Sequence, residues 1–381
     1  MKYMGSKRAM LQNGLGEVLK RQIKSRRRFV DLFSGSGAVA IHVARTSRVP
    51  VVAWDIQRYS TVLANAVIAR KNRFEWKRSW NAWHRRSKNF RGSYRFPVPK
   101  KLTHASVSEV RAWCARRRNL PITRAYGGHY FSAKQAVEID ALRATLPAAK
   151  LSRTVALAAL IQAASRCAAA PGHTAQPFQP TRSGKKHVAE AWRKSIFDNT
   201  KSSLEKLSAQ FANKAGLAAV GDANVIARKL KRTDLVFIDP PYSGVHYSRF
   251  YHVLETIARG RCGEVEGVGR YPVPTSRPQS KYSVATLSRS ALDELFKAVA
   301  VRGAKAIVTF PARACSNGLS GKIVRAVASE HFQVRQRIIQ SNFSSLGGTG
   351  KERNGKTHRK ARRGTKELIL FLSPKQRSNG A

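Results

Sequence analysis

The sequence predicts an α/β fold: an open sheet with helices on both faces, carrying an inserted basic, mainly helical region. Three observations predict it. A short apolar strand at residues 28–33 runs into the turn Ser34-Gly35-Ser36-Gly37 and then an apolar helix. A second strand, residues 49–54, ends in an acid, Asp55. A later one, residues 235–238, ends in Asp239-Pro240-Pro241-Tyr242. Strand, glycine turn, helix, strand and acid in that order open a nucleotide-binding sheet, and such sheets place ligands outside the carboxyl ends of their strands.

The remaining elements follow from periodicity. A helix at residues 38–44 succeeds the glycine turn, and another at 59–70 succeeds Asp55. Residues 71–125 then change character, with sixteen Lys and Arg against two Glu, and with Trp76, Trp80, Trp83, Phe90 and Tyr94 interleaved. A basic and aromatic block of this kind favours nucleic acid, although any single aromatic in it is more readily a core residue. Residues 135–146, 154–169 and 187–213 have helical spacing, and the Pro- and Gly-bearing stretch 171–186 is a loop. Further strands are expected at 217–220, leading to Gly221-Asp222, and at 305–310. Two closing strands, 332–340 and 366–372, flank a loop rich in Gly, Lys and Arg. The division this gives is a core of residues 1–70 and 214–381, with 71–213 as the insertion.

Composition bounds the class. A chain of 381 residues with 42% hydrophobic residues can bury a substantial core. Its 71 Lys and Arg against 21 Asp and Glu give a net charge of +50. Self-repulsion at that charge opposes compaction unless a polyanion neutralises it, so nucleic acid is the expected partner. Cys114, Cys167, Cys262 and Cys315 lack the spacing of a disulfide framework or a zinc site, and no metal is expected. The chain opens without an apolar signal segment, and its longest apolar stretch, 155–164, is too short to cross a bilayer. A cytoplasmic protein is the expectation.

Two motifs carry chemistry. The glycine turn lacks side chains where a ligand passes close to the backbone, and an acid ending the next strand can accept from ribose hydroxyls, so a nucleoside-containing cofactor fits. The third glycine of a dinucleotide fingerprint is missing, and so is the lysine of a phosphate-cradling loop. Asp-Pro-Pro-Tyr is more specific. Two consecutive prolines cannot donate and force extended geometry on their predecessors, which leaves a rigid turn presenting acceptors. Such a turn suits an amino group: Asp239 takes one hydrogen, the Pro240 carbonyl the other, Pro241 stiffens the loop, and Tyr242 offers a flat face for a base drawn out of a helix.

These residues resemble known ones. Asp31-Leu32-Phe33-Ser34-Gly35-Ser36-Gly37 looks like the S-adenosylmethionine motif, and Asp239-Pro240-Pro241-Tyr242 like the catalytic motif, of the Dam-like class of adenine-N6 DNA methyltransferases. Lys2-Tyr3-Met4-Gly5-Ser6-Lys7 is similar to that class's first motif, and similarity continues through Tyr126-Gly127-Gly128-His129-Tyr130-Phe131-Ser132, Gln135, Asp140, Arg143, the stretch 171–178 and Ser344-Ser345-Leu346-Gly347-Gly348. The resemblance implies a Rossmann-like methyltransferase fold with a mixed seven-stranded sheet, S-adenosylmethionine as cofactor and double-stranded DNA as substrate. It implies that Tyr3, Gly5, Ser6 and Lys7 meet the methionine end of the cofactor, that Asp31, Phe33, Gly35 and Gly37 wrap it, that Asp55 takes the ribose and Asp222 the adenine end. The first motif departs from the Trp-Ala-Gly-Gly-Lys form of Dam, and the basic stretch before Gly221 is unlike Dam's compact target domain, so no recognition sequence is implied.

A methyltransferase acting on RNA and a DNA-binding protein with an inactive core are the competing readings, and a restriction endonuclease is a candidate partner. The oligomeric state is left open, a monomer being compatible. DNA phosphates are expected against Arg85, Arg86, Arg116, Arg117 and Arg118 of the insertion, and against Lys351, Arg353, Lys356, Arg362 and Arg363 of the late loop.

Overall fold

A computed structural model describes residues 7–344 and 362–375. Seven strands form one sheet: β1 (Arg28–Asp31), β2 (Val51–Asp55), β3 (Leu217–Val220), β4 (Asp234–Ile238), β5 (Lys305–Pro311), β6 (Phe332–Ser344) and β7 (Arg362–Pro374). Their order is β3-β2-β1-β4-β5-β7-β6. β1 to β5 are parallel, while β7 runs antiparallel to both β5 and β6. This is the mixed seven-stranded α/β sheet expected from the sequence. Every residue of β4 is buried, which explains why it reads as an unbroken apolar run after its leading Asp234.

The order reverses at β1, whose neighbours are β2 and β4, in register through Val30↔Val52 and Val30↔Val236. The crevice at such a switch point lies outside the carboxyl ends of these strands, where the glycine turn and the Asp-Pro-Pro-Tyr loop both begin.

Helices cover both faces. On one side α1 (Gly16–Ile23), α2 (Ala38–Thr46) and part of α3 (Arg58–Ile68) bury Val18, Leu19, Val43 and Ile68 against Phe29 and Phe237. The second face carries helices that follow β3, β4 and β5. The insertion contributes α4 (Trp76–Gly92), α5 (His104–Ala115), α6 (Pro121–Tyr126), α7 (Ala133–Ala144), α8 (Lys150–Cys167), α9 (Lys185–Trp192) and α10 (Ile196–Ser208). It is followed by α11 (Ala223–Ala227), α12 (His252–Arg259), α13 (Ala285–Val301) and α14 (Gly321–His331). Leu292 and Phe296 of α13 and Val324 of α14 pack on Val236, Val308 and Leu370, closing the second face.

Tyr59, Leu63 and Val67 of α3 belong to a third cluster, shared with the insertion helices and with α12. Helix α3 is therefore apolar on two sides and joins the sheet to the insertion. Trp76, Trp80 and Trp83 lie in that cluster, with Trp83 Nε1 donating to the Leu142 carbonyl at 3.0 Å. For these three rings the core reading therefore holds, and they are not exposed for nucleic acid. They recur at helical spacing on one face of α4, and that face is turned into the core.

Two further differences are local. The amphipathic stretch 187–213 is two helices rather than one, because Ser195 caps α10 by accepting from Asp198 N at 3.1 Å. The closing strands are longer than their apolar runs, so that Arg362 and Arg363 stand on β7, paired with Ser344 and Phe343, rather than in the loop.

Candidate active site

Three strand ends build one cleft of about 950 Å³. After β1 the chain turns through Gly35 and Gly37, whose φ angles of 51° and 74° lie in the left-handed region that glycine tolerates. Asp55 at the end of β2 fixes this turn. Its Oδ2 accepts from Gly35 N at 2.8 Å and its Oδ1 from Gln57 N at 2.9 Å. Each oxygen retains a second lone pair for a ligand hydroxyl.

Asp239 stands at the end of β4. The register that sets Ile238 beside Val308 brings Thr309 of β5 next to it, and Thr309 Oγ1 donates to Asp239 Oδ1 at 2.8 Å. Lys7 Nζ lies 2.9 Å from the same oxygen and 3.5 Å from Glu367 Oε2 of β7. Burial would push the Lys7 ammonium down, but the Asp239 and Glu367 carboxylates outweigh it and hold the group above the ordinary lysine range. Burial raises the Glu367 carboxyl, with Lys7 opposing. Pro241 is pinned from outside: Asn317 Nδ2 donates to its carbonyl and to that of Tyr282, each at 2.9 Å. The Tyr242 ring is held edge-on by Tyr247 and Phe310, and burial lifts its hydroxyl to about 12.

The floor of the cleft is acidic. Asp31, wholly buried at the end of β1, has its carboxyl pushed up to about 8, first by burial and then by the nearby Asp239 and Asp55. Burial likewise lifts Asp55 to about 6. Four carboxyl groups, those of Asp31, Asp55, Asp222 and Asp239, line the cavity and favour a cationic occupant.

Most of the residues expected from the sequence meet here: Lys7, Asp31, Phe33, Gly35, Asp55, Asp222, Asp239, Pro240, Pro241 and Tyr242 all line the cleft. Gly37 stands behind it, as the left-handed residue that starts α2. Asp222 has a second task, capping α11 by accepting from Asn224 N at 2.9 Å and Val225 N at 3.2 Å. Lys7 is expected on the cofactor, yet its ammonium engages the carboxylate of the Asp-Pro-Pro-Tyr loop. Tyr3, Gly5, Ser6, Lys351, Arg353 and Lys356 lie outside the described residues, as do the side chains of Arg362 and Arg363.

On the insertion, Arg85, Arg86, Arg116 and Arg118 are exposed, while Arg117 is half-buried with its guanidinium 4.1 Å from the Trp113 ring centre. Two residues that accompany the Gly-Gly-His-Tyr-Phe-Ser block in the resemblance are scaffold. Asp140 accepts from Ile122 N, Thr123 N and Thr123 Oγ1 at 2.7–3.1 Å, capping α6, and Arg143 Nε donates to the Ile257 carbonyl at 2.8 Å, holding the end of α12.

Sequence reasoning missed Thr309, Asn317, Tyr282 and Glu367. An acid heading the apolar run Leu368-Ile369-Leu370 is a readable anomaly, but nothing in the sequence singles out Asn317.

A model of the D12 class N6 adenine-specific DNA methyltransferase family matches residues 3–305. The chain is similar to the modification methylase StsI of Streptococcus sanguinis, at 24% identity over 275 residues. It is also similar to the type II methyltransferase M.FokI of Planomicrobium okeanokoites, at 27% identity over 283 residues. Each alignment covers 70% of this chain and 38% of the relative, so the chain spans under two-fifths of the length of these curated proteins. Among the described residues no helix is long and apolar enough to cross a membrane.

Proposed function

The chain belongs to the D12 class N6 adenine-specific DNA methyltransferase family, and from that premise we propose that it transfers a methyl group from S-adenosylmethionine to the N6 amino group of adenine in double-stranded DNA. The observation that carries the reading is Asp239, fixed by Lys7 and Thr309 at the rim of a cleft whose floor holds Asp31 and Asp55.

The donor fits that cleft because it joins a nucleoside to positive charge. Bound there, it supplies a methyl group activated by its cationic sulfur. Asp55 would accept from the ribose, Gly35 would let the backbone approach with Gly37 holding the turn from behind, Asp222 and Phe33 would flank the adenine end, and Asp31 would face the positive charge. Tyr3, Gly5 and Ser6 complete the methionine end.

Lys7 and Thr309 both engage Asp239 Oδ1, which leaves Oδ2 to accept one N6 hydrogen. The Pro240 carbonyl accepts the other. Holding both hydrogens draws the nitrogen lone pair out of conjugation with the ring and aims it at the methyl carbon. Formation of the nitrogen–carbon bond would be matched by breaking of the donor's sulfur–carbon bond, whose electron pair leaves with the sulfur as a neutral thioether, and Asp239 would take the proton that N6 loses. Tyr242 stacks on the everted base, a contact of about 1–3 kcal/mol. Exposed Arg85, Arg86, Arg116 and Arg118, with Arg117, take DNA phosphates, joined by Lys351, Arg353, Lys356, Arg362 and Arg363. The names of the two relatives favour a restriction endonuclease as working partner, with DNA in the cytoplasm as the setting.

The test is transfer of labelled methyl from S-adenosylmethionine to unmethylated DNA and to RNA in parallel. N6-methyladenine in DNA, lost in Asp239→Ala by at least about 10²-fold while cofactor binding persists, is the expected result. Label confined to RNA would overturn the substrate, and label in neither would favour an inactive core.

A further inference from the structure

A second cavity, of about 960 Å³, adjoins the catalytic cleft, and Ser248 and Pro278 line both. Three arginines, Arg259, Arg261 and Arg277, line it against one carboxylate, Glu255. Among the described residues only Arg259 of the three forms an ion pair, its Nε lying 2.6 Å from Glu255 Oε1, while Glu266 acts on Arg277 without bonding to it. The Glu255 carboxylate is already committed, because it also accepts from Arg58 N at 3.1 Å and Tyr59 N at 2.9 Å.

Arg277 is the unusual member. Its Nε and Nη1 are buried without a hydrogen-bond partner, and its guanidinium lies 5.9 Å from the centre of the Tyr271 ring. Arg249 sits on that same ring at 4.4 Å, so two like charges share one aromatic platform. Burial first, and then this neighbour, act against the Arg277 charge and outweigh the opposing pull of Glu266 and Tyr271. Ser248, 3% exposed at the junction of the cavities, also has a hydroxyl without a partner. A desolvated guanidinium with unused donors, a second guanidinium beside it and an unpaired hydroxyl cost free energy until an anion with several acceptor oxygens arrives.

We propose that this cavity is a phosphodiester subsite, gripping the backbone of the DNA strand whose adenine enters the catalytic cleft. The proposal rests on the function given above. Sugar and phosphate are tied to the base, so a base in the first cleft carries its backbone to the wall the two cavities share. Arg277 donates to the phosphate oxygens, Ser248 adds a hydroxyl at the junction, and Arg261 closes the rim. The subsite thereby holds the strand while the base is out of its stack.

The experiment uses the full chain and labelled S-adenosylmethionine with unmethylated DNA, reading kcat/KM for DNA against salt, together with duplex binding against salt. Arg277→Gln is expected to lower kcat/KM roughly tenfold or more and to flatten the log–log salt slope by about 0.7–0.9, the value of one phosphate contact. Arg277→Lys is expected to restore the slope, which a purely packing role on Tyr271 would not do. Arg325→Gln, removing one exposed charge outside the cavity, leaves it unchanged. If Arg277→Gln folds poorly, Arg261→Gln on the exposed rim gives the same readout. A wild-type slope in the Gln variant with transfer intact overturns the subsite and leaves the function standing. If the wild type transfers nothing, the function has failed, and the binding slopes alone then decide the subsite: a loss of about 0.7–0.9 sustains it, no loss overturns it.

Discussion

Lys7 stands between two carboxylates, Asp239 and Glu367, in a site from which water is largely excluded. Replacing it by Gln leaves the two acids facing one another, which costs about 3–5 kcal/mol for a buried pair and favours protonation of one of them. Lys7→Gln is therefore expected to depress methyl transfer strongly near neutral pH and to recover part of it as pH rises, whereas Lys7→Arg keeps the wild-type profile. A flat profile in the Gln variant would limit Lys7 to packing. Asp31 gives the opposite kind of expectation. Its folded-state carboxyl titrates at about 8 against an ordinary 3.8, so folding takes up a proton and stability falls as pH climbs between those values. Asp31→Asn should melt higher than the wild type without ligand, by a margin that widens from pH 5 to pH 9, while binding S-adenosylmethionine more weakly. A margin independent of pH would refute this account. Individual site residues were readable where chemistry dictates type, as at Asp55 and Asp239. They were not where geometry chooses among ordinary residues, as with Thr309, which a neighbouring strand's register delivers.

The elements that hold the site divide into those with a local signature and those without one. β1 and β4 are buried on both faces, and their apolar runs end in acids, so each announces itself. The Trp residues of α4 carry a helical period that marks them as core, a period easily overlooked among so many charges. The segment from Asp239 to Lys305 gave little, because the long connection at residues 260–284 carries Gly260, Gly263, Gly267 and Gly269 among scattered arginines, with no periodic run to mark where α13 begins. Capping explains part of the unread remainder. Asp140 ends no apolar strand and meets α6 only in three dimensions. Asp140→Ala, which strips two backbone donors and one hydroxyl of their acceptor, is expected to lower stability by about 1–3 kcal/mol in a urea titration. An unchanged midpoint would show that α6 does not depend on this cap.

For the whole molecule, 71 basic side chains against 21 acidic ones make salt the natural control variable. Exposed Arg85 and Arg86 on α4 should each contribute a slope of about 0.9 to duplex binding if α4 lies along the backbone. The double substitution Arg85→Gln/Arg86→Gln then flattens the plot by nearly two, and an unaltered slope places the duplex elsewhere. The sheet itself has a consequence for biogenesis. β7 is inserted between β5 and β6 although both precede it in the sequence, and it carries Glu367 into the grouping around Lys7 and Asp239. While a ribosome is still emitting the chain, β5 and β6 must wait with a vacant slot and two unpaired edges. A nascent polypeptide can thus shape the walls around β1 and β2 long before its acidic and basic partners meet. The Lys7–Glu367 contact at the proposed site therefore forms only when β7 zips between its two neighbours, so a chain stopped short of β7 lacks that carboxylate.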